Sequence, residues 1–295
     1  MPIRTLHADD YPVDRLIDAK GDQRVAVCLP ARNEADTVGT IVATIVDGLG
    51  DSGLIDDIVV VDDHSEDDTA AVAAAAGARV IRAADDARAP GPGKGQALWK
   101  SVLATDADII AWCDADLAQF SNHFVTGLVG PLLCDQSLSF VKATYHRPLV
   151  DGHGGGRVTE LLARPALSLL FPEVAGVDQP LAGEYAARRD VLLQVPFVAD
   201  YGVDIALLID VVDRVGVDGL CQVDLGQRHH RNRPLHELSV QATEVLAAVL
   251  ARAEATGRSI PDAQGAVLRR PGRSSVVVTH RELAAIATLA VDDHV

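Results

Sequence analysis

Short apolar runs closed by polar or acidic residues alternate with segments of helical spacing along the first third of the chain. After a polar arm at residues 1–23, with a short helix expected around Val13 to Ala19, Val25-Ala26-Val27-Cys28-Leu29 reads as a buried strand ended by Pro30. Ala31-Arg32-Asn33-Glu34 follows as a polar loop, and Val38, Ile41, Val42 and Ile45 recur at helical intervals between Thr37 and Leu49. Asp57 to Asp63 is a second strand with an acidic exit. Ser65-Glu66-Asp67-Asp68 resembles a capping box opening an Ala-rich helix that stops at Gly77, and Arg79-Val80-Ile81 is a third strand. This βαβαβ opening predicts a parallel sheet wrapped by helices, a Rossmann-like nucleotide-binding unit.

Further on, Pro90-Gly91-Pro92-Gly93-Lys94-Gly95 precedes a helix expected from Gln96 to Leu103, and Ile109-Ile110-Ala111-Trp112-Cys113 is a strand running into Asp114-Ala115-Asp116. A loop is expected next, then a strand from Leu138 to Tyr145. The glycine-rich stretch Gly152 to Gly156 enters a helix reaching about Leu170. Val203 to Val215 is an apolar helix, Gln222 to Leu225 a short strand, and Glu237 to Ala255 a long helix suited to packing or dimerisation. Residues 259–274 read as loop, Ser275 to Val278 as a strand, and Thr279 to Glu282 as a capping box for a last helix.

Composition narrows the class. Hydrophobic residues make up 48% of the 295 but aromatic ones only 4%, so the core is aliphatic. No apolar run approaches the ~18 residues of a membrane span and the N-terminus lacks a signal-peptide core, so a soluble cytoplasmic protein with no membrane partner is expected. A net charge of -16 argues against a nucleic-acid surface, which needs a basic face. Cys28, Cys113, Cys134 and Cys221 show no CxxC spacing and are expected as buried thiols.

Candidate chemistry gathers where strands end. Side chains alternate along a strand, so Asp114 and Asp116 are expected to leave on one side at its carboxyl end, where ligands of open α/β sheets bind. Two carboxylates there suit a divalent cation that neutralises a pyrophosphate, although Asp-X-Asp also arises by chance among 42 acidic residues. The glycine-rich segment before Gln96 is either a plain turn or a flexible loop bringing Lys94 to a phosphate; no Walker A is present, and no GxGxxG follows the first strand. Backbone N–H groups at the helix start after Gly156, with Arg157 and the Thr159 hydroxyl, suit an anion site, although the glycines alone would also serve as a flexible connection. Gln227-Arg228-His229-His230-Arg231-Asn232-Arg233 suggests an anion pocket or a metal ligand.

Taken in order from about Val25 to Glu237, these pieces resemble the retaining GT-A glucosyl-3-phosphoglycerate synthases, with the mannosyl-3-phosphoglycerate synthases as near relatives. The resemblance rests on Leu29-Pro30-Ala31, Pro92-Gly93-Lys94-Gly95-Gln96-Ala97-Leu98-Trp99, Asp114-Ala115-Asp116-Leu117 and Val129-Gly130-Pro131-Leu132-Leu133. Further support comes from Gly154-Gly155-Gly156-Arg157-Val158-Thr159-Glu160-Leu161, Gly183-Glu184-Tyr185-Ala186, Tyr201-Gly202-Val203 and His230-Arg231-Asn232-Arg233-Pro234-Leu235.

The resemblance implies an α/β GT-A glycosyltransferase fold with a mixed central sheet. Residues 24–117 would form a Rossmann-like nucleotide-sugar half, 118–257 a helical acceptor half of the same domain, and 258–295 a tail without family counterpart. It implies UDP-glucose as donor, D-3-phosphoglycerate or a similar anionic acceptor, Mg²⁺ or Mn²⁺ as cofactor, and a homodimer. Pro30, Ala31, Arg32, Glu34, Asp62 and Ser65 would hold the uridine, Asp114 and Ala115 would sit by the ribose, and Lys94 would contact the nucleotide end of the donor. Asp116 and His230 would bind the metal. Gly155, Gly156, Arg157 and Thr159 would grip the acceptor phosphate, with Asn232 beside the acceptor. Catalysis would rest on Asp116, Asp204, Arg157 and Lys94, with front-face attack and no enzymic nucleophile.

Two departures stand out. Asp204 occupies a position where the synthases usually carry Glu facing the transferred sugar, and Asp62-Asp63-His64-Ser65 replaces an Asp-Ser-Gly-Ser type of sequence. Rival expectations are GDP-mannose or a different phosphorylated or carboxylated acceptor with the same chemistry, then a nucleotidyltransferase, then a sensor that binds nucleotide sugar without turnover.

Overall fold

The computed structural model describes residues 3–88, 91–146, 156–227, 235–259, 266–270 and 273–278. In chain order the elements begin with β1 (Arg4–His7), α1 (Val13–Lys20), β2 (Val25–Ala31), α2 (Val38–Leu49), β3 (Asp57–Asp62), α3 (Thr69–Ala75) and β4 (Arg79–Arg82). Next come α4 (Lys94–Ala104), β5 (Ile109–Trp112), α5 (His123–Cys134), β6 (Phe140–His146), α6 (Arg164–Leu170), β7 (Tyr185–Arg188), α7 (Arg189–Leu192) and α8 (Val203–Val215). The chain continues through β8 (Leu220–Gln227), α9 (Leu238–Ala255), β9 (Ala266–Leu268) and β10 (Val276–Val278).

Eight strands form one sheet in the order β1-β8-β6-β7-β5-β2-β3-β4. Neighbours run parallel except around β7, which is antiparallel to both β5 and β6. The mixed sheet of a GT-A fold is therefore present, and it crosses both expected halves. Helices cover both faces over two aliphatic cores, one carrying α4, α6 and α8 and the other α2 and α5.

Several local readings are corrected. The arm is not merely helical: Arg4–His7 extends the sheet by pairing with β8. The loop expected after Asp116 contains α5, apolar on nearly every side and so without amphipathic signal. Strand β2 runs through Pro30 to Ala31, in register with Val61 and Asp62 of β3. The missing Pro30 N–H is tolerated because it falls on the β5 side, where pairing has already ended at Cys28 and Trp112. No capping box opens α3; Asp67 instead accepts from the Thr69 N–H at 3.0 Å. The expected loop at 259–274 includes β9, which forms a hairpin with β10. Cys134 is exposed rather than buried, and none of the four cysteines is in a disulfide. The capping box at Thr279 to Glu282 lies outside the described residues.

Candidate active site

The site lies at the carboxyl ends of β2, β3 and β5, where the antiparallel β7 enters the sheet. Strand β5 stops at Trp112 and the chain turns at Ala115 and Asp116, so alternation along an extended strand does not set the two aspartates. Asp114 points inward and Asp116 is exposed. Both still crowd Glu34: burial first, then Asp116 and Asp114, push its carboxyl above the ordinary range.

Lys94 is the first residue of α4, not part of a flexible loop. Its Nζ donates to Asp114 at 3.1 Å and to Asp204 at 3.2 Å. Burial opposes the lysine charge, but the two carboxylates outweigh it and hold the Lys94 pKa above its usual value. The helix start can approach this closely because glycines flank Lys94: a Cβ on Gly95 would overlap the Val198 carbonyl oxygen. The Gln96 N–H donates to the Ala199 carbonyl at 3.0 Å, fixing α4 beside the segment that leads into α8.

Asp204, in the first turn of α8, is buried. Its second oxygen accepts from the Tyr185 hydroxyl at 3.1 Å. Tyr185, at the start of β7, packs its ring 5.2 Å from Trp112 and 5.5 Å from Phe140, and the Trp112 N–H donates to Ser101 at 2.8 Å. Burial and Asp204 raise the Tyr185 pKa well above its ordinary value, so the phenol stays protonated. Lys142 lies below, fully buried on β6, with Nζ donating to the Ala182 carbonyl at 2.7 Å and lying 4.2 Å from the Tyr185 ring centre.

The two loops expected around the uridine meet. The Ser65 hydroxyl accepts from the Asn33 N–H at 3.0 Å, and Asn33 Oδ1 accepts from the Glu66 N–H at 2.8 Å. Asp62 Oδ1 accepts from the Ser65 N–H at 3.2 Å, and the Ala115 carbonyl accepts from the Thr37 hydroxyl at 2.6 Å. Pro30 and Ala31 close β2 beneath this loop, and Arg32 is exposed above it. Asn33 and His64 both take left-handed backbone, with φ of 56° and 60°. That conformation is one that glycine adopts most readily. Asp63 accepts from the Gly93 N–H at 2.9 Å and contacts His64 Nδ1 at 3.0 Å, joining this loop to the start of α4.

In the segment expected to hold the acceptor, Gly156 has a φ of 82° and its carbonyl accepts from the Glu160 N–H at 2.9 Å. The chain is helical from Arg157 but widens to a π-helix at Thr159–Ala163 before α6, a local irregularity frequent at functional sites. Thr159 is buried and Arg157 partly exposed. Gly155, His230 and Asn232 lie outside the described residues. Among the described residues no set of three or more metal-ligating side chains is present. Asp116 nonetheless supplies a hard carboxylate oxygen of the kind that Mg²⁺ or Mn²⁺ takes, and Glu34, whose carboxyl is raised by Asp116 and Asp114 as well as by burial, adds negative charge nearby.

Sequence reading assigned no role to Tyr185 or Lys142, and placed Asp63 only within the region Asp62 to Ser65 expected at the uridine. A lysine in the middle of an otherwise apolar strand was the available signal for Lys142.

The profile of Glycosyl transferase family 2 matches residues 26–160. The glucosyl-3-phosphoglycerate synthase of Mycolicibacterium smegmatis is 50% identical over 249 residues, covering 82% of this chain and 82% of that protein. The same enzyme of Mycobacterium tuberculosis, solved with Mn²⁺, UDP-glucose and phosphoglyceric acid, superposes with a TM-score of 0.80 at 42% identity, covering 95% and 96% of the two chains. The mannosyl-3-phosphoglycerate synthase of Rubrobacter xylanophilus superposes with a TM-score of 0.82 at 40% identity, covering 92% and 85%. Sequence and fold agree, and the chain belongs to the glucosyl-3-phosphoglycerate synthase family of metal-dependent glycosyltransferases.

Proposed function

We propose that this enzyme moves glucose from UDP-glucose to the 2-hydroxyl of D-3-phosphoglycerate with retention of the α configuration. The observation that carries this is a whole-chain likeness to a synthase holding Mn²⁺, UDP-glucose and phosphoglyceric acid together. The bond from the anomeric carbon to the diphosphate breaks as a bond to the acceptor oxygen forms on the same face. The acceptor proton passes to the leaving diphosphate oxygen.

Within this reading Pro30, Ala31, Arg32, Glu34, Asp62 and Ser65 hold the uridine, and Asp114 and Ala115 the ribose. Asp116 and His230 hold the metal, which supplies Lewis-acid stabilisation of the diphosphate when bound. Lys94 places a positive charge at the donor and keeps Asp114 and Asp204 in fixed positions, with Asp204 facing the sugar. Gly155, Gly156, Arg157, Thr159 and Asn232 orient the acceptor, Arg157 by its charge on the phosphate. A homodimer in the cytoplasm completes the proposal. Among the described residues no helix is long and apolar enough to cross a membrane, and α9 exposes Leu246 and Leu250 one turn apart.

GDP-mannose remains the second reading because the mannosyl synthase superposes equally well and Asp204 is one methylene shorter than the usual Glu. Thermal shift with Mn²⁺ separates them. UDP-glucose is expected to raise Tm well beyond GDP-mannose, with the gain lost on chelating the metal. Selective stabilisation by GDP-mannose would overturn the donor assignment.

A further inference from the structure

Lys142 carries a charge in the middle of β6, where its side chain is fully buried and its register partner on β7 is Tyr185. Placing an ammonium there costs far more than placing an apolar side chain, so its contacts have to offset that burial. They do so on two sides. The ammonium donates to the Ala182 carbonyl at 2.7 Å, and it sits 4.2 Å from the centre of the Tyr185 ring, a cation–π contact.

Both contacts lead to the site. Ala182 precedes Gly183, whose α-carbon lies so close to Asp114 that an added Cβ would overlap the carboxylate. The Ala182–Gly183 backbone is therefore one wall of the Asp114 position. Tyr185 donates its hydroxyl to Asp204, and Asp204 and Asp114 share Lys94. We propose that Lys142 is a positioning residue for glycosyl transfer, holding the Ala182–Gly183 turn and the Tyr185 ring so that Asp114 stays fixed on Lys94 and Asp204 faces the donor sugar correctly.

The charges around Lys142 are Asp204 on α8, Lys94 on α4, Glu184 before β7 and Asp114 after β5. Burial dominates among them and pushes the Lys142 pKa down to about 8, so the ammonium is poorly solvated and depends on these neighbours. Removing it alone would also take one positive charge from beside Asp204, Glu184 and Asp114. Charge balance and positioning therefore have to be separated in any test.

The inference rests on the donor reading given above. The test compares wild type with Lys142→Met and with the charge-balanced double variant Lys142→Met/Glu184→Gln. Affinities for UDP and for UDP-glucose are measured with Mn²⁺ and without acceptor, alongside kcat, KM and Tm. Positioning predicts that the double variant keeps a wild-type Tm and binds UDP within about threefold. It should bind UDP-glucose at least about tenfold more weakly and lose at least about tenfold in kcat, with KM for 3-phosphoglycerate little changed. A purely structural lysine would change UDP and UDP-glucose affinity alike. That outcome, or recovery of full kcat in the double variant, overturns the proposal. Wild type failing to glucosylate 3-phosphoglycerate would refute the acceptor assignment instead, while the ratio of UDP-glucose to UDP affinity still decides the role of Lys142.

Discussion

Glu34, Asp114 and Asp116 approach one another at the mouth of the site, and Glu34 registers the crowding. Its folded-state carboxyl is raised, first by burial and then by the two aspartates. Below the unfolded value of 4.5 both states hold the proton and the crowding has no cost. As pH rises through the raised folded value, the folded state gives up a proton it binds more tightly than the unfolded state does, so stability falls. Glu34→Gln removes that loss. The metal-free variant is expected to melt above wild type at neutral pH, with the two curves converging below pH 4.5. Adding Mn²⁺ should then stabilise wild type more than the variant. An unchanged difference across that pH range would show that Glu34 is not under this strain. At this scale the sequence is readable where chemistry is concentrated: acidic residues after an apolar run mark Asp114 and Asp116, and glycines mark Lys94. Tyr185 and Lys142 are harder, because their significance comes from partners far away in the chain.

Helices and strands were legible in proportion to how strongly their burial is one-sided. Helix α2 shows its buried face at Val38, Ile41, Val42 and Ile45, and α8 begins and ends where its apolar pattern does. Helix α5 escapes because it is buried all round and carries Gly127, Gly130 and Pro131. Those glycines serve packing: a Cβ at Gly127 would crowd Ala8 and Leu225, and one at Gly130 would crowd Tyr11. Strands β1 and β7 are four residues each, too short for a period to register. Helix α9 is the reverse case. It packs on α8 through Val245, Ala248 and Val249 yet leaves Leu246 and Leu250 exposed, the basis for placing a second copy there. Light scattering is expected to give twice the chain mass for wild type. Leu250→Glu should weaken the dimer at least about tenfold by burying a charge in the contact. A single-chain mass for wild type would refute the dimer.

Across the whole molecule, the reversal at β7 is what turns a nucleotide-binding sheet into a transferase site. Parallel strands β2, β3 and β5 end together beneath the loops proposed to hold the donor, and β7 runs back between β5 and β6. Its first residue, Tyr185, thus meets Asp204 of α8, which Lys94 of the first half joins to Asp114. The opening βαβαβ order was plain from the sequence, but the direction of β7 was not, since pairing direction leaves no local mark in four residues. The most direct measurement is a product analysis with UDP-glucose, D-3-phosphoglycerate and Mg²⁺ or Mn²⁺, read by mass and by anomeric NMR. The expected result is α-glucosyl-3-phosphoglycerate with release of UDP, abolished by chelating the metal. A β-linked product, or bound UDP-glucose with no glucosylated phosphoglycerate, would contradict the proposed reaction.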